Sequence, residues 1–209
     1  MKTLASSLLI ALIAVTTGIS QTFDLQQMLK EKKLVPYQNY PLVPLKEKQG
    51  ISANKIVWLK DVNFSTGTIE VDLRGKDIPQ RSFLGIAFHG IDTVTYDAIY
   101  FRPFNFQSTD PVRKIHAVQY ISHPEFTWEK LRNEKNGIYE KGISPPPSAT
   151  DWFHAKIVVD QSTITVYVNG ATVHSLQVNK LNDRKDGLIG LWNYGLDGDF
   201  ANLTIQTNQ

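Results

Sequence analysis

The sequence predicts an all-β fold, and three observations support this prediction. Segments such as residues 67–73 alternate apolar and polar side chains with a period of two, which is typical of half-buried strands. About ten such segments follow one another, with turn residues between them. A helical pattern is confined to residues 24–33. Many short, turn-separated strands with little helix are typical of a β-sandwich or a β-barrel.

The first 20 residues have the layout of a secretory signal peptide. An uncharged apolar run covers residues 8–15, and Gly18 and Ser20 occupy the −3 and −1 positions of a cut before Gln21. The run is too short to span a bilayer, which takes about 20 apolar residues. We therefore expect residues 1–20 to be removed, the protein to be secreted or periplasmic, and no membrane association after cleavage.

Composition excludes several classes of site. The chain contains no cysteine, so it has no disulfide, thiolate metal site or cysteine nucleophile. Its 22 basic and 20 acidic residues nearly balance, and they form no basic block, so we expect no nucleic-acid partner. The G-x-S-x-G motif that carries a nucleophilic serine does not occur, so the sequence gives no support for a serine-based catalytic triad. We expect an N-terminal lead-in over residues 21–50 and one domain over residues 51–209.

The strand segments are assigned in chain order. Residues 55–59 and 67–73 begin the series, and the later segments are residues 82–89, 96–104, 114–122, 151–159, 163–168, 171–176, 187–192 and 200–207. Asn169-Gly170 predicts a type I′ hairpin turn, because both residues tolerate positive φ. Residues 126–147, which include three consecutive prolines, are predicted to form a long irregular loop at the rim or in the functional site.

The last third of the chain carries a resemblance to a known superfamily. Its motifs are WFHAKIVV at 152–159, ITVYVNG at 164–170, GLIGLW at 187–192 and DFANLTI at 199–205. This order resembles the end of concanavalin A-like lectin/glucanase domains, which include laminin G-like modules and domains related to 3-keto-disaccharide hydrolases and family 16 glycoside hydrolases. The resemblance covers residues 56–207 in topology and implies a two-sheet antiparallel jelly-roll β-sandwich. It predicts the fold and not an activity, because one fold hosts many functions.

The catalytic motif of family 16 is incomplete. Those enzymes carry E-x-D-x-x-E on one strand, whereas here Glu70 and Asp72 match the first two acids and Gly75 stands in place of the third. Alternation also predicts that Glu70 and Asp72 lie on a solvated outer face. Retaining hydrolysis by a pair of carboxyl groups is therefore not expected at this strand.

The middle of the chain supplies candidate ligand-binding residues. Alternation places Tyr100 and Arg102 on one face of the segment 96–104, and we expect the neighbouring strand to bring either Gln119 or the pair His116 and Tyr120 beside them. His89, at the end of the preceding strand, is expected to converge with Arg102. Aromatic rings beside a few fixed polar groups suit the apolar faces and hydroxyls of sugars.

Two further features extend the candidate site. Trp128, in the long loop, is a candidate platform for a sugar ring, or else an anchor for the loop. Asp197 and Asp199 flank a glycine before the last strand, where some members of the superfamily hold calcium; the same pattern is also a plain turn signature. The scattered histidines offer no zinc spacing, and no other cofactor is expected.

Three functions remain open at this point. The first is a carbohydrate-binding protein that recognises a glycan in a concave groove. The second is a glycoside hydrolase or lyase on the same scaffold. The third is a protein-interaction module, as laminin G-like domains often are.

Overall fold

The computed structural model describes residues 19–208, which form two antiparallel sheets packed face to face. The first sheet has the strand order β13-β12-β11-β6-β15-β4-β3, and β1 also pairs with β15. Its strands are β1 Ile19–Phe23, β3 Val43–Pro44, β4 Ile51–Ala53, β6 Gly67–Arg74, β11 Phe153–Val159, β12 Thr163–Val168, β13 Leu176–Asn179 and β15 Gly198–Thr207.

The second sheet has the order β10-β9-β8-β7-β14-β5-β2. Its strands are β2 Leu34–Pro36, β5 Val57–Phe64, β7 Ser82–Gly90, β8 Tyr96–Phe101, β9 Val118–His123, β10 Glu140–Lys141 and β14 Gly187–Gly195. Three short helices accompany the sheets: α1 Leu25–Lys30, α2 Pro111–Lys114 and α3 Trp128–Glu134. Within residues 19–208, no helix combines the length and the apolar character needed to cross a bilayer. The prediction of a two-sheet antiparallel jelly-roll sandwich is confirmed.

The hydrophobic core lies between the two sheets. Phe101 of β8 meets Phe153 of β11 with ring centroids 5.1 Å apart, and both side chains are buried. The same inner face of the second sheet carries Leu84, Ile86 and Phe88, as their alternation along β7 predicts. Successive residues of a strand face opposite sides of the sheet. The residues that alternate with these inward-facing ones, such as Tyr100 beside Phe101 in β8, therefore point to the outer face of the second sheet.

The segment before residue 51 adds strands to both sheets. β1 pairs along its whole length with β15, whereas β2 pairs with β5. Helix α1 follows Asp24, whose carboxylate accepts a hydrogen bond from the Gln27 amide at 2.9 Å, and it buries Leu25 and Met28. Apart from Ile19 and Ser20, the predicted signal peptide lies outside the described residues.

Two predicted strands are shorter than expected. Strand β8 ends at Phe101, because Pro103 starts a 3-10 turn and lacks an amide hydrogen for the ladder. The segment 114–122 does not begin as a strand: Asp110 caps Val112 at 2.9 Å and starts α2, and β9 begins only at Val118. His116 lies before β9, so the prediction that His116 and Tyr120 share one face of a strand is wrong.

The predicted loop 126–147 and the predicted strand 171–176 also need correction. The loop contains α3 and β10, and α3 begins where Thr127 caps the Lys130 amide at 3.3 Å. Asn169 and Gly170 do adopt φ values of 52° and 69°, as the hairpin prediction requires. The returning strand β13 nevertheless begins only at Leu176, opposite Val166, so a longer loop follows the turn.

A buried polar cluster ties the connection between β13 and β14 to the inner face of the second sheet. Asp97 accepts hydrogen bonds from the Tyr120 hydroxyl at 2.8 Å, Asn182 at 2.6 Å and Arg184 at 2.9 Å. His89 lies 3.2 Å from the other Asp97 oxygen. Burial alone raises the pKa of Asp97, but these hydrogen bonds and the charge of Arg184 outweigh it and hold that pKa below its usual value.

We predict that Asp97→Asn lowers the free energy of unfolding at pH 7 by about 3 kcal/mol, because Arg184 and His89 lose their buried anionic partner. The contribution of Asp97 is full above the ordinary carboxyl pKa of about 3.9 and is lost as the pH falls through its lower folded-state pKa. The difference between wild type and variant should therefore shrink below about pH 4. Urea unfolding across this pH range measures it.

The matched control is Asp183→Asn, since Asp183 is exposed in the same connection. Its urea midpoint should stay at the wild-type value. Equal midpoints for the two variants at pH 7 would show that the Asp97 cluster does not stabilise the fold.

Candidate functional site

A groove of about 820 Å³ lies on the outer face of the second sheet. Its floor is built from side chains of β7, β8, β9 and β14. Its walls come from the segments that precede and follow β7, from the segment that follows β8 and from α3. The aromatic side chains that line it are Phe83, Tyr96, Tyr100, Phe104, Trp128, Trp192 and Tyr194. Polar side chains also line it, and these are Gln80, Thr93, Arg102, Asn105, Arg113, His116, His123 and Arg132. Within the described residues, no aspartate or glutamate lines it.

The aromatic floor depends on a glycine in a central strand. Gly85 lies directly between Tyr100 of β8 and Trp192 of β14 in the register of the sheet. With no side chain at this position, the Tyr100 and Trp192 rings meet with centroids 4.8 Å apart. A Cβ on Gly85 would lie 2.0 Å from the Ile99 carbonyl oxygen, so the neighbouring strand would have to move.

Arg102 sits at one end of this floor and is only 4% exposed. Its Nη2 group donates to the Tyr100 hydroxyl at 2.6 Å and to the Gln119 amide oxygen. Its Nη1 group donates to the His116 carbonyl at 3.1 Å and lies 3.3 Å from Glu140 Oε2. Its guanidinium also lies 4.8 Å from the centre of the Tyr100 ring. The side chain is therefore fixed, and Arg102→Ala would lower stability, contrary to what an exposed ligand-binding arginine would show.

Glu140 holds three basic groups around one carboxylate. Arg132 donates to both of its oxygens, at 2.9 and 2.7 Å, in addition to the contact from Arg102. His116 Nδ1 lies 2.9 Å from Oε2, within ion-pair distance but outside hydrogen-bonding geometry. Burial raises the pKa of Glu140, and the two arginines more than offset this, so the pKa is lower than usual.

Burial sets the protonation of Tyr100, His116 and His123. It raises the pKa of Tyr100 to about 12, so this residue remains a neutral hydroxyl at physiological pH. It lowers the pKa of His116, and it is the cause of the lowered pKa of His123, so both imidazoles are neutral at pH 7. The His123 ring stacks on Tyr96 at 5.1 Å with an interplanar angle of 6°.

The rim of the groove is formed by α2 and α3. Trp128, the first residue of α3, is 46% exposed, and the Arg132 guanidinium lies 5.1 Å from its ring centre. Arg113 projects from α2, with a side chain that is 58% exposed. The helix α3 thus places an exposed ring and a guanidinium side by side, as residues four apart on a helix require.

The structure brings together most of the residues that the sequence nominated. Tyr100, Arg102, His116 and Trp128 line the groove, and Gln119 lies directly beneath, bonded to Tyr100 and Arg102. Whether these residues bind a ligand stays a prediction.

The expected convergence of His89 and Tyr120 with Arg102 is wrong. Both are fully buried in the Asp97 cluster on the inner face of the sheet. Tyr120 pairs with Ile99 and so shares its inward direction. His89 has a φ of 48° beside an irregularity in the β7–β14 register, and this bulge turns its side chain inward to stack on Phe64 at 6.0 Å.

Sequence reasoning missed several lining residues. Phe83 could have been found, because it alternates with Leu84 and must point outward when Leu84 points inward. Trp192 and Tyr194 follow the same alternation along β14. Arg113 and Arg132 gave no such signal, since both lie on short helices. Arg113 falls between two predicted strands, and Arg132 falls in the segment predicted as a loop.

The two carboxylates predicted as calcium ligands have separate partners. Asp199 accepts a hydrogen bond from Arg74 Nε at 2.9 Å and forms an ion pair with Arg74 Nη2 at 2.8 Å, and Asp197 accepts a hydrogen bond from Asn54 at 2.9 Å. Within residues 19–208, no three histidine, aspartate or glutamate side chains are grouped as metal ligands. The predicted site at Asp197 and Asp199 is therefore not arranged to hold calcium.

The profile of the family described as "3-keto-alpha-glucoside-1,2-lyase-like domain" matches residues 35–206. The chain belongs to this family. The match includes every strand that builds the groove. It also confirms the resemblance to the concanavalin A-like superfamily that the C-terminal motifs indicated. A comparison with curated protein sequences found no significant match.

Solved structures with the same fold include a carbohydrate-binding module and a protein of unknown function. The carbohydrate-binding module CBM66 from Bacillus subtilis has a TM-score of 0.59 and 15% identity over 83% of this chain and 95% of that one. A protein with a galectin-like fold, also from Bacillus subtilis, has a TM-score of 0.59 and 11% identity over 90% of this chain and 94% of that one. At these identities, the similarity of this family member to both is one of fold.

Proposed function

We propose that this protein binds a carbohydrate in the groove on the outer face of the second sheet. The observation that carries the proposal is the groove itself, which has a continuous aromatic floor and a small number of fixed polar groups. The Phe83 ring lies 6.1 Å from Tyr100 and 5.9 Å from Tyr194, so the floor extends across three strands. Pyranose rings present apolar faces to such a surface and hydroxyl groups to its edges.

Polar atoms at the groove suit the hydroxyl groups of a sugar. Asn105 is buried, and its amide nitrogen donates to the His116 carbonyl at 3.0 Å. Its Oδ1 atom is buried and has no hydrogen-bond partner among the described residues, so a ligand would reach it only if the side chain turned toward the groove. A buried acceptor without a partner is costly, and a ligand hydroxyl that approached it would remove that cost.

The alternative functions differ in the surface they require. Hydrolysis by two carboxyl groups needs them on opposite sides of the scissile bond, at roughly 5 to 10 Å. Within residues 19–208, no carboxyl group lines the groove, and Glu140 lies beneath it in contact with two arginines. A protein-interaction module would use a flat apolar patch, whereas the exposed rings here surround a concave groove.

We predict that Trp128→Ala weakens glycan binding about tenfold, which is the scale of one aromatic stacking contact. The thermal midpoint should hardly change, because the ring is exposed and surface substitutions cost about 0.5 kcal/mol or less. A glycan array of the protein lacking residues 1–20 identifies the ligand, and titration calorimetry compares the affinities.

The matched control is Tyr40→Ala, which removes an exposed ring outside the groove. It should leave the affinity unchanged. Equal affinities for the wild type, Trp128→Ala and Tyr40→Ala would show that Trp128 does not contact the ligand. The absence of any glycan ligand would overturn the proposal.

His123 favours a second candidate function, elimination from a 3-keto-α-glucoside. The C3 carbonyl of such a sugar acidifies the hydrogen on C2, so a single neutral base can begin the reaction. Removal of the C2 proton forms a C1–C2 double bond, and the substituent on C1 leaves with its electron pair and takes up a proton. His123 lines the groove with a lowered pKa and supplies such a base without a carboxylate pair.

The expected result for this candidate is formation of an unsaturated ketone, which absorbs ultraviolet light, from a 3-keto-α-glucoside. His123→Asn should slow it at least a hundredfold, the usual contribution of a general base. His174→Asn alters an exposed histidine outside the groove and should retain the full rate. No product with the wild-type protein, or an equal rate in both variants, would leave binding as the only function proposed.

We also propose that the protein is exported and that residues 1–20 are removed. The support is the charge and apolar pattern of this segment and the small residues before Gln21. Intact-mass measurement of the protein recovered from outside the cytoplasm should give a chain that begins at Gln21. A mass that includes the apolar run 8–15 would refute the cleavage.

A further inference from the structure

One end of the groove concentrates positive charge. Arg102 follows β8, Arg113 belongs to α2 and Arg132 belongs to α3, and all three line the groove. Arg102 shares Glu140 with Arg132, and it donates to the carbonyl of His116, three residues after Arg113. We call these three residues the arginine end. Three separate elements of the fold contribute to it, so the cluster does not reflect a local run of basic residues.

The acidic residues near the arginine end do not balance it. Glu140 is only 2% exposed and is shared by Arg102 and Arg132. Arg113 has only Asp110, at 3.7 Å on the exposed side of α2. Two carboxylates thus face three guanidinium groups, and the arginine end keeps a net positive charge.

Two guanidinium groups retain free donors. Arg132 uses Nε and Nη2 for Glu140, and its Nη1 group has no protein partner within residues 19–208. Arg113 likewise has no hydrogen-bonded partner for Nη1 or Nη2 in the described part of the chain, since its contact with Asp110 goes through Nε. The planar fork of an arginine matches the paired oxygens of a carboxylate or a sulfate better than a single hydroxyl.

A bound ligand would displace water from these groups. A neutral sugar would leave the excess positive charge desolvated without a counter-charge, which is unfavourable. An anionic group on the sugar would supply this counter-charge. We propose that the groove binds a saccharide carrying a carboxylate or sulfate group, and that the arginine end receives this anion. The inference rests on the proposed function, namely that a carbohydrate occupies the groove.

The test uses ligand pairs that differ only in charge. An oligogalacturonate is compared with its carboxyl-reduced neutral form, and a sulfated galactan oligosaccharide with its desulfated form. The wild-type protein should bind the acidic member of at least one pair about tenfold more tightly, and the pair that responds identifies the anion. Added salt should weaken only the binding of the acidic member.

Arg113→Ala should weaken binding of the acidic member about tenfold and leave binding of the neutral member unchanged. Arg113→Lys should recover part of the loss, because it restores the charge without the fork. The control Lys46→Ala removes an exposed positive charge from the β3–β4 connection in the first sheet and should have no effect.

Two results overturn the inference and keep the proposed function. One is equal affinity for the acidic and neutral members of both pairs, and the other is an equal loss of both in Arg113→Ala. If neither pair binds and the glycan array also yields no ligand, the proposed function fails as well. Thermal midpoints of the variants establish that they are folded, which is expected because Arg113 is exposed.

Discussion

The groove depends on the ion pairs between Glu140 and its surrounding cations. The carboxylate belongs to a two-residue edge strand, and its cationic partners are Arg102, after β8, and Arg132, on α3. The neutral imidazole of His116, after α2, lies beside it. A buried charge of this kind is tolerated only because it is fully paired. The pairing joins β10, α3 and the segment after β8, and thereby sets the position of α3, and with it Trp128, relative to the sheet. Removing Glu140 would leave both arginines without their shared carboxylate.

The two faces of the second sheet use polar residues for different purposes. On the inner face, Asp97 and its donors attach the β13–β14 connection to the sheet, and the Asp97 carboxylate is closed to solvent. On the outer face, Arg102 and Glu140 support a surface that remains open. Both clusters contain a buried carboxylate whose pKa is lowered by its donors. A buried carboxylate paired with basic groups therefore stabilises the fold at Asp97 and shapes the candidate site at Glu140.

Much of the site followed from alternation within strands. Tyr100 and Gln119 lie opposite each other in the β8–β9 register, and both were nominated from the sequence. The inference failed where the backbone departs from a regular strand. His89 turns inward at a bulge, and the expected alternation of His116 with Tyr120 fails because β9 starts four residues later than predicted. Bulges and strand ends depend on pairing with another strand, and the sequence of one strand does not contain that information.

The sequence by itself determined the all-β class, the positions of most strands along the chain, the positive φ values of the Asn169-Gly170 turn and the superfamily. These features follow from local periodicity and short motifs. Tertiary structure alone decided which face each polar residue occupies near an irregularity. It also decided that Arg113 and Arg132 join Arg102 in one groove, and that Asp199 pairs with Arg74 and not with Asp197. The physical reason is that each of these contacts joins segments far apart in the chain. Such contacts are set by sheet register and by the pairing of buried charges, and neither is encoded in a local pattern.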